Sequence, residues 1–253
     1  MKRWLLPALL VAILVSAWQI AASSGFLAEL LNLESFLLPS PSEVASSLWE
    51  NRSLLVENAW VTLREVVLGF GCGLLAGLGF AAVLHFSETL RRASYPLLVA
   101  SQAIPIVAIA PILIVIFGFG IWPKLAIVAL ICFFPITVNA LDGLRSVDPE
   151  AIKLMRTLDG SRWQIFQRVE APTALPYAFS GAKIAIAVAV IGAVFAEWAA
   201  SSVGVGGLGA LIRQDNALLQ TSRLFAEVFV LAAMAMGFFG LLALVERRVV
   251  TWR

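Results

Sequence analysis

The sequence predicts an all-α fold, a polytopic bundle of helices that crosses a membrane. Three observations predict it: of 253 residues 60% are hydrophobic and only 13% charged, the mean hydropathy is +0.92, and the apolar residues gather into long uncharged runs. So little polar surface cannot wrap a soluble globule of this length, and lipid is the solvent that suits the chain. At roughly 20 apolar residues per crossing, the length converts to about six spans with loops. The net charge is only +2, with cations standing at the edges of the apolar runs rather than in one stripe, which sets nucleic acid aside as a partner. Cys72 and Cys132 lie inside apolar runs, where cysteine behaves as a small hydrophobe, so neither a disulfide nor a metal site is expected.

The first span runs from Trp4 to Ala22, after Lys2 and Arg3. A cleaved secretory leader is the competing reading, because Ala21, Ala22 and Ser23 would suit cleavage; the length of the run and the membranous remainder favour retention. Residues 1–54 then form an N-terminal unit of this span and an interfacial elbow. In the elbow Pro39 and Pro41 force extended backbone, and Ser42 is placed to cap a short helix reaching Trp49. Residues 55–253 hold five further spans. Span two covers 55–84 and carries Gly69, Gly73 and Gly77 at four-residue spacing, which lets a neighbouring helix approach its backbone. Span three, within 93–123, is uncharged but contains Pro96, Pro105, Pro111 and Pro123, so it must be kinked or broken, with the freed carbonyls facing protein or water. Span four covers 122–141 after the tight Gly118-Phe119-Gly120 turn, span five 176–199 and span six 224–245.

Cation placement sets the expected orientation. With the N-terminus inside, Lys2, Arg3, Arg91, Arg92, Arg145, Lys153, Arg156, Arg162, Arg168, Arg247, Arg248 and Arg253 fall on the inner side, against Arg52, Arg64, Lys124, Arg213 and Arg223 outside. The bias places both termini in the cytoplasm. Trp4, Trp18, Trp60, Trp122, Trp198 and Trp252 fall near span ends, where indoles favour the interface.

One substantial inner segment remains, 142–174. Asp148-Pro149-Glu150 reads as a helix start, with an acid at N-cap and proline at the first helical position. That helix should stop near Asp159-Gly160, with Gly160 in the left-handed conformation. Ser161 and Gln164 have capping-box spacing and start a second short helix that Pro172 is expected to end. Trp163 and Phe166 share a face of it among Arg162 and Arg168. Two readings stand: aromatics ringed by cations form a docking knob, or the hairpin lies on the bilayer with its rings in the headgroups.

The stretch Leu154-Met155-Arg156-Thr157-Leu158-Asp159-Gly160-Ser161-Arg162-Trp163-Gln164, followed by Val169-Glu170-Ala171-Pro172 and Leu175-Pro176, resembles the cytoplasmic EAA loop of bacterial binding-protein-dependent ABC importer permeases. Leu38-Pro39-Ser40-Pro41-Ser42-Glu43-Val44, Ala103-Ile104-Pro105, Phe134-Pro135, the run from Asn139 to Pro149 and Ala196-Glu197-Trp198 resemble the nitrate, sulfonate and taurine branch. The resemblance implies a type I importer permease fold in the bacterial inner membrane, a second permease copy as a homodimer partner, two cytoplasmic ATPase subunits and an external solute-binding protein. It implies an ATPase-coupling surface at Lys153, Arg156, Asp159, Gly160, Ser161, Arg162, Trp163, Phe166 and Arg168. Two positions depart from the family pattern: Lys153 stands where the loop's Glu is expected, reversing a charge at the ATPase contact, and Asp159 stands where its Gly is expected, straining the turn unless Gly160 takes over. Leu154-Met155-Arg156, Glu197-Trp198 and Glu246-Arg247-Arg248 with Trp252 are most similar to permeases for thiamine pyrimidine precursors, with taurine, alkanesulfonate and nitrate as alternatives.

No phosphate loop with a Gly-Lys-Ser/Thr ending occurs, so no cofactor is expected in this chain, and ATP with Mg is expected on the partner ATPase. Gly204-Val205-Gly206-Gly207-Leu208-Gly209 satisfies a dinucleotide-binding pattern, but it follows a span rather than a strand and reads as an external turn. Polar residues at membrane depth tend to face the bundle interior, which singles out Gln102, Asn139 and Glu197, with the Pro105 to Pro111 break, for a solute path. Glu197 equally suits the outer interface beside Trp198, and Asn139 a bond to a neighbouring helix; His85 reads as an interfacial residue. A channel without an ATPase, or an intramembrane enzyme, is the alternative class; the latter would need paired catalytic groups at one depth, which the lone His85 and Glu197 do not supply.

Overall fold

A computed structural model describes residues 2–25, 29, 32, 34–200 and 206–252. Gly204, Val205 and Arg253, named above, lie outside the described residues. In chain order the helices are α1 (Lys2–Ser23), α2 (Pro41–Glu50), α3 (Arg52–Phe86), α4 (Glu88–Ser101), α5 (Ile106–Phe117), α6 (Ile121–Arg145), α7 (Pro149–Thr157), α8 (Arg162–Ile165), α9 (Ala171–Ala200), α10 (Leu208–Ala217) and α11 (Thr221–Val249). A 3-10 turn (Ser35–Leu37) precedes α2 and a π-helical turn (Phe166–Glu170) joins α8 to α9. Among the described residues there is no strand. Five helices are long and apolar enough to span a bilayer, and α4 with α5 makes a sixth crossing if the bent pair counts as one.

The packed centre is α3, α6 and α9. Val66, Val128, Cys132, Ile136, Ala185, Ala189 and Ala193 bury there, and the glycine spacing in α3 is the seam that permits it. A Cβ on Gly73 would lie 2.7 Å from the Cβ of Cys132 and 2.8 Å from the carbonyl of Ala129, and Gly69 and Gly77 press on Val128 and Ile136 in the same way. Across the other face of α6, a Cβ on Gly181 would meet the Pro135 carbonyl at 2.7 Å. Without a hydrophobic drive between helices in lipid, such close backbone approach is what gains dispersion energy.

α1 stands apart from this centre. Leu5 to Val15 are exposed, and the helix touches the bundle through Trp18, whose ring stacks on Phe229 at 6.2 Å. Its Gln19 reaches the elbow, where Ser42 N–H donates to Oε1 at 3.0 Å. That contact occupies Ser42, and the cap of α2 is Ser40 instead: Glu43 N–H donates to Ser40 Oγ, and Ser40 N–H to Glu43 Oε2 at 2.7 Å. Pro41 supplies the reason, because its fixed φ suits the first helical position and leaves the residue before it as N-cap.

The third crossing is broken, as its prolines predict. α4 and α5 meet at 101° across residues 102–105, and Pro105 is the N-cap of α5. Pro111 lies inside α5 and does not interrupt it.

Two corrections concern the hairpin. Asp159, not Gly160, adopts the left-handed conformation, with φ 55°. Aspartate is among the few side chains that tolerate this region. Gly160 is required for a different reason: a Cβ there would lie 2.7 Å from the Met155 carbonyl, to which its own N–H donates at 2.9 Å. Pro172 does not end the second helix either. Lacking an N–H, it cannot serve the carbonyl four residues back; just before it the ladder widens into the π turn, where Ala171 N–H donates to Phe166, and the chain then runs on as α9.

Candidate functional site

Polar side chains gather at two ends of the bundle, and α3 reaches both. At the hairpin end, Asp148 caps α7 by accepting from Glu150 N–H at 2.9 Å, and Ser161 and Gln164 form the expected reciprocal box, with Ser161 N–H donating to Gln164 Oε1 at 2.8 Å. These caps fix the angle at which α8 leaves the turn.

The aromatic pair has divided roles. Trp163 is 56% exposed and stacks on Phe166 at 5.2 Å. Phe166 is half-buried, packed on Phe86 at 5.0 Å and against His85. Arg162 lays its guanidinium over the Phe86 ring and donates from Nη2 to the Phe86 carbonyl at 3.0 Å. Glu170, in the π turn, meets His85 Nε2 at 2.8 Å. The hairpin is therefore bolted to the last turn of α3, and His85, Phe86 and Glu170 make contacts that periodicity does not reveal.

The cations around it are unequally engaged. Lys153 pairs with Glu150 at 2.7 Å on the exposed face of α7, and Arg168 is exposed on the π turn. Arg156 borders a cavity of about 400 Å³ whose wall also includes His85, Gly160, Arg162 and Glu170.

At the opposite end, Glu197 is fully buried. Thr62 Oγ1 donates to its Oε1 at 2.6 Å, and Gly209 N–H donates to Oε2. Leu208 N–H donates to Thr62 Oγ1 at 2.9 Å, and Gly207 N–H to Asn58 Oδ1 at 2.9 Å. These are the orphan amides at the start of α10, and a carboxylate there also complements the helix dipole. A Cβ on Gly207 would overlap the Glu197 carboxylate, and Gly207 has φ 137°, so glycine is required there twice over. The glycine run thus seats a helix on a carboxylate.

Alongside, Lys124 of α6 donates to Glu65 Oε1 of α3 at 2.6 Å, with both side chains at most 3% exposed. Glu65 Oε2 is buried without a hydrogen-bond partner among the described residues, and the Glu197 carboxyl lies close to the Glu65 carboxyl. The far end of α10 is held by an ion pair between Asp215 and Arg223, with Glu227 buried beside it. Isolated charges so buried would cost several kcal/mol each; pairing offsets that cost for Lys124 with Glu65 and for Arg223 with Asp215, whereas both carboxyl oxygens of Glu227 are buried without a hydrogen-bond partner among the described residues. Lys124 was legible only as a cation on the expected outer side, and nothing in the sequence singles out Glu65.

Of the remaining path candidates, Gln102, Pro105 and Pro111 are exposed at and beyond the break in the third crossing. Asn139 is half-buried at the seam of α6 and α9, its Nδ2 donating to the Pro135 carbonyl at 2.8 Å. Glu197 is enclosed at the α10 end, apart from these.

A bundle of long apolar helices, with a capped hairpin at one end and a short helix clamped by buried charge at the other, is the architecture of a polytopic membrane protein. The chain belongs to the family of binding-protein-dependent transport system inner membrane components, which matches residues 69–251. It is 33% identical over 248 residues to the formylaminopyrimidine transport permease protein ThiX of Halalkalibacterium halodurans, covering 98% of this chain and 95% of that one. It is 38% identical over 250 residues to the riboflavin transport system permease protein RibX of Chloroflexus aurantiacus, covering 98% and 89%. The fold is similar to that of a chain in an inward-facing structure of the MetNI methionine ABC transporter, at a TM-score of 0.66 and 20% identity over 79% of this chain and 98% of the other. The protein is accordingly the inner-membrane permease subunit of an ABC importer and not an enzyme; ATP hydrolysis belongs to a separate subunit.

Proposed function

We propose that two copies of this chain enclose a solute path, with the 142–174 hairpin on the cytoplasmic side, each hairpin seated on one of two ATPase subunits that bind ATP and Mg, and α10 on the outer side toward a solute-binding protein. The exposed, rigidly mounted Trp163 ring carries the docking part of this reading. It stands exposed on the hairpin together with Leu154 and Leu158, and Lys153, Arg156 and Arg168 add exposed charge to the same hairpin. Asp159, Gly160, Ser161 and Arg162 hold the turn that aims it, and Phe166 is its mount. The excess of Lys and Arg at this end supports a cytoplasmic placement.

The path runs along the broken crossing, past Gln102, Pro105 and Pro111, with Asn139 behind it and Glu197 holding its outer closure. The solute is a small heteroaromatic of the thiamine-precursor pyrimidine type. Two relatives are named for heteroaromatic solutes, a formylaminopyrimidine and riboflavin, and 93–123 offers no fixed charge to attract an anion. Taurine, alkanesulfonate and nitrate are the alternatives that the test below separates.

Trp163→Ala should abolish co-purification with the ATPase and uptake while the permease itself is recovered from membranes; normal association and uptake would sink the docking role. Competition of uptake by unlabelled pyrimidine against taurine and nitrate decides the solute, and inhibition by taurine or nitrate alone rejects the heteroaromatic.

A further inference from the structure

The hairpin has two routes to the far end of the bundle. One is covalent, through α9, but that route begins with a π turn and contains Pro172 and Pro176, so it is jointed where it leaves the hairpin. The other is α3, which has no proline and is unbroken over 35 residues. From Thr62 to His85 it rises about 35 Å at roughly 1.5 Å per residue. Its glycines do not leave it limp, because Gly69, Gly73 and Gly77 are pressed onto α6.

Each end of α3 is fastened by side chains with no other evident task. At one end His85 holds Glu170 across the π joint at 2.8 Å, and Phe86 receives Arg162 and Phe166. At the other, Asn58 and Thr62 hold the first amides of α10 at 2.9 Å, and Thr62 holds Glu197 at 2.6 Å. A displacement of the hairpin absorbed by the joint in α9 would still be delivered to α3, because His85 ties the joint itself.

We infer that α3 is the rod that couples the hairpin to α10, with His85 and Glu170 as positioning residues at one end and Asn58 and Thr62 at the other. This rests on the seating of the hairpin on the ATPase proposed above. Nucleotide-driven movement at the hairpin then loosens or tightens the start of α10, where the outer closure of the path is made. A coupling through two discrete arrangements of these ties has a reciprocal consequence: what loosens α10 also shifts the hairpin.

The experiment uses the assembled permease–ATPase complex in lipid nanodiscs and reads amide hydrogen exchange at residues 207–211, with and without Mg-ATP and vanadate. In the wild-type complex, trapping should change exchange there by roughly fivefold or more, and His85→Leu should reduce that change to less than about twofold with the ATPase still bound. His85→Gln, which keeps a donor for Glu170, should retain most of the response. Should His85→Leu fail to assemble, Glu170→Met severs the same tie from the hairpin side and must give the same loss. An undiminished response in the severed variant, or none in the wild-type complex with ATPase bound, overturns the rod. Failure of the docking reading is a separate result, seen as absence of the ATPase from the purified complex.

Discussion

Thr62 and Glu197, in helices α3 and α9, meet at 2.6 Å with neither residue exposed to solvent. The same threonine oxygen accepts the Leu208 amide, so one hydroxyl joins two spans and the short helix α10. Such a site tolerates no bulk. Gly207→Ala should destabilise the protein by about 1–3 kcal/mol from backbone conformation alone, before counting the overlap with Glu197. A fall in the melting temperature of the solubilised permease, with Gly206→Ala as the milder control, checks this.

The Lys124–Glu65 pair should behave as a buried salt bridge does. Lys124→Met, leaving Glu65 unpaired beside Glu197, is expected to cost about 3–5 kcal/mol, whereas Lys124→Met with Glu65→Leu should recover most of it. Denaturation of the two variants in the same detergent measures the difference, and equal stability of single and double variants would contradict it.

The glycines of α3 divide into two classes by what lies opposite. Gly73→Ala should separate α3 from α6 and destabilise the fold, since its Cβ would meet Cys132 and the Ala129 carbonyl at under 3 Å. A methyl on Gly79 would have nothing within 4 Å, so Gly79→Ala should be neutral or stabilising by about 0.5–1 kcal/mol. Paired thermal melts decide, and a more stable Gly73→Ala would remove the close-packing account.

In the hairpin, Asp159→Gly should relieve the left-handed conformation and stabilise the turn by up to about 1–2 kcal/mol, while Gly160→Ala should disrupt it through the Met155 carbonyl. Hydrogen exchange at residues 155–165 reads both effects, and the opposite ranking would restore Gly160 as the left-handed residue.

The legible part of the candidate site was its capping chemistry and its one exposed ring. Ser161, Gln164, Asp148 and Trp163 act within a few residues of themselves, so local spacing reports them. His85 and Phe86 were not legible as parts of the site because their partners, Glu170, Phe166 and Arg162, lie on another helix. Nor did the glycine run announce a helix, since Asn58, Thr62 and Glu197, which receive the first amides of α10, come from other helices. Glu197 itself illustrates the division: its place in the sequence suits the outer interface as well as the bundle interior, and only its contacts with Thr62 and Gly209 show it buried.

Hydropathy, proline placement and helix-cap spacing suffice for the bilayer as solvent, the long spans, the break in the third crossing and the existence of the hairpin, because each depends on contacts between a segment and its solvent or its near neighbours in the chain. Which residue of the turn goes left-handed, how Pro172 is carried through, and how α3 joins the hairpin to α10 depend on side chains brought together from distant positions. Tertiary packing alone decides those, because in lipid a buried polar group must find its partner on another helix, and periodicity carries no record of which helix that is.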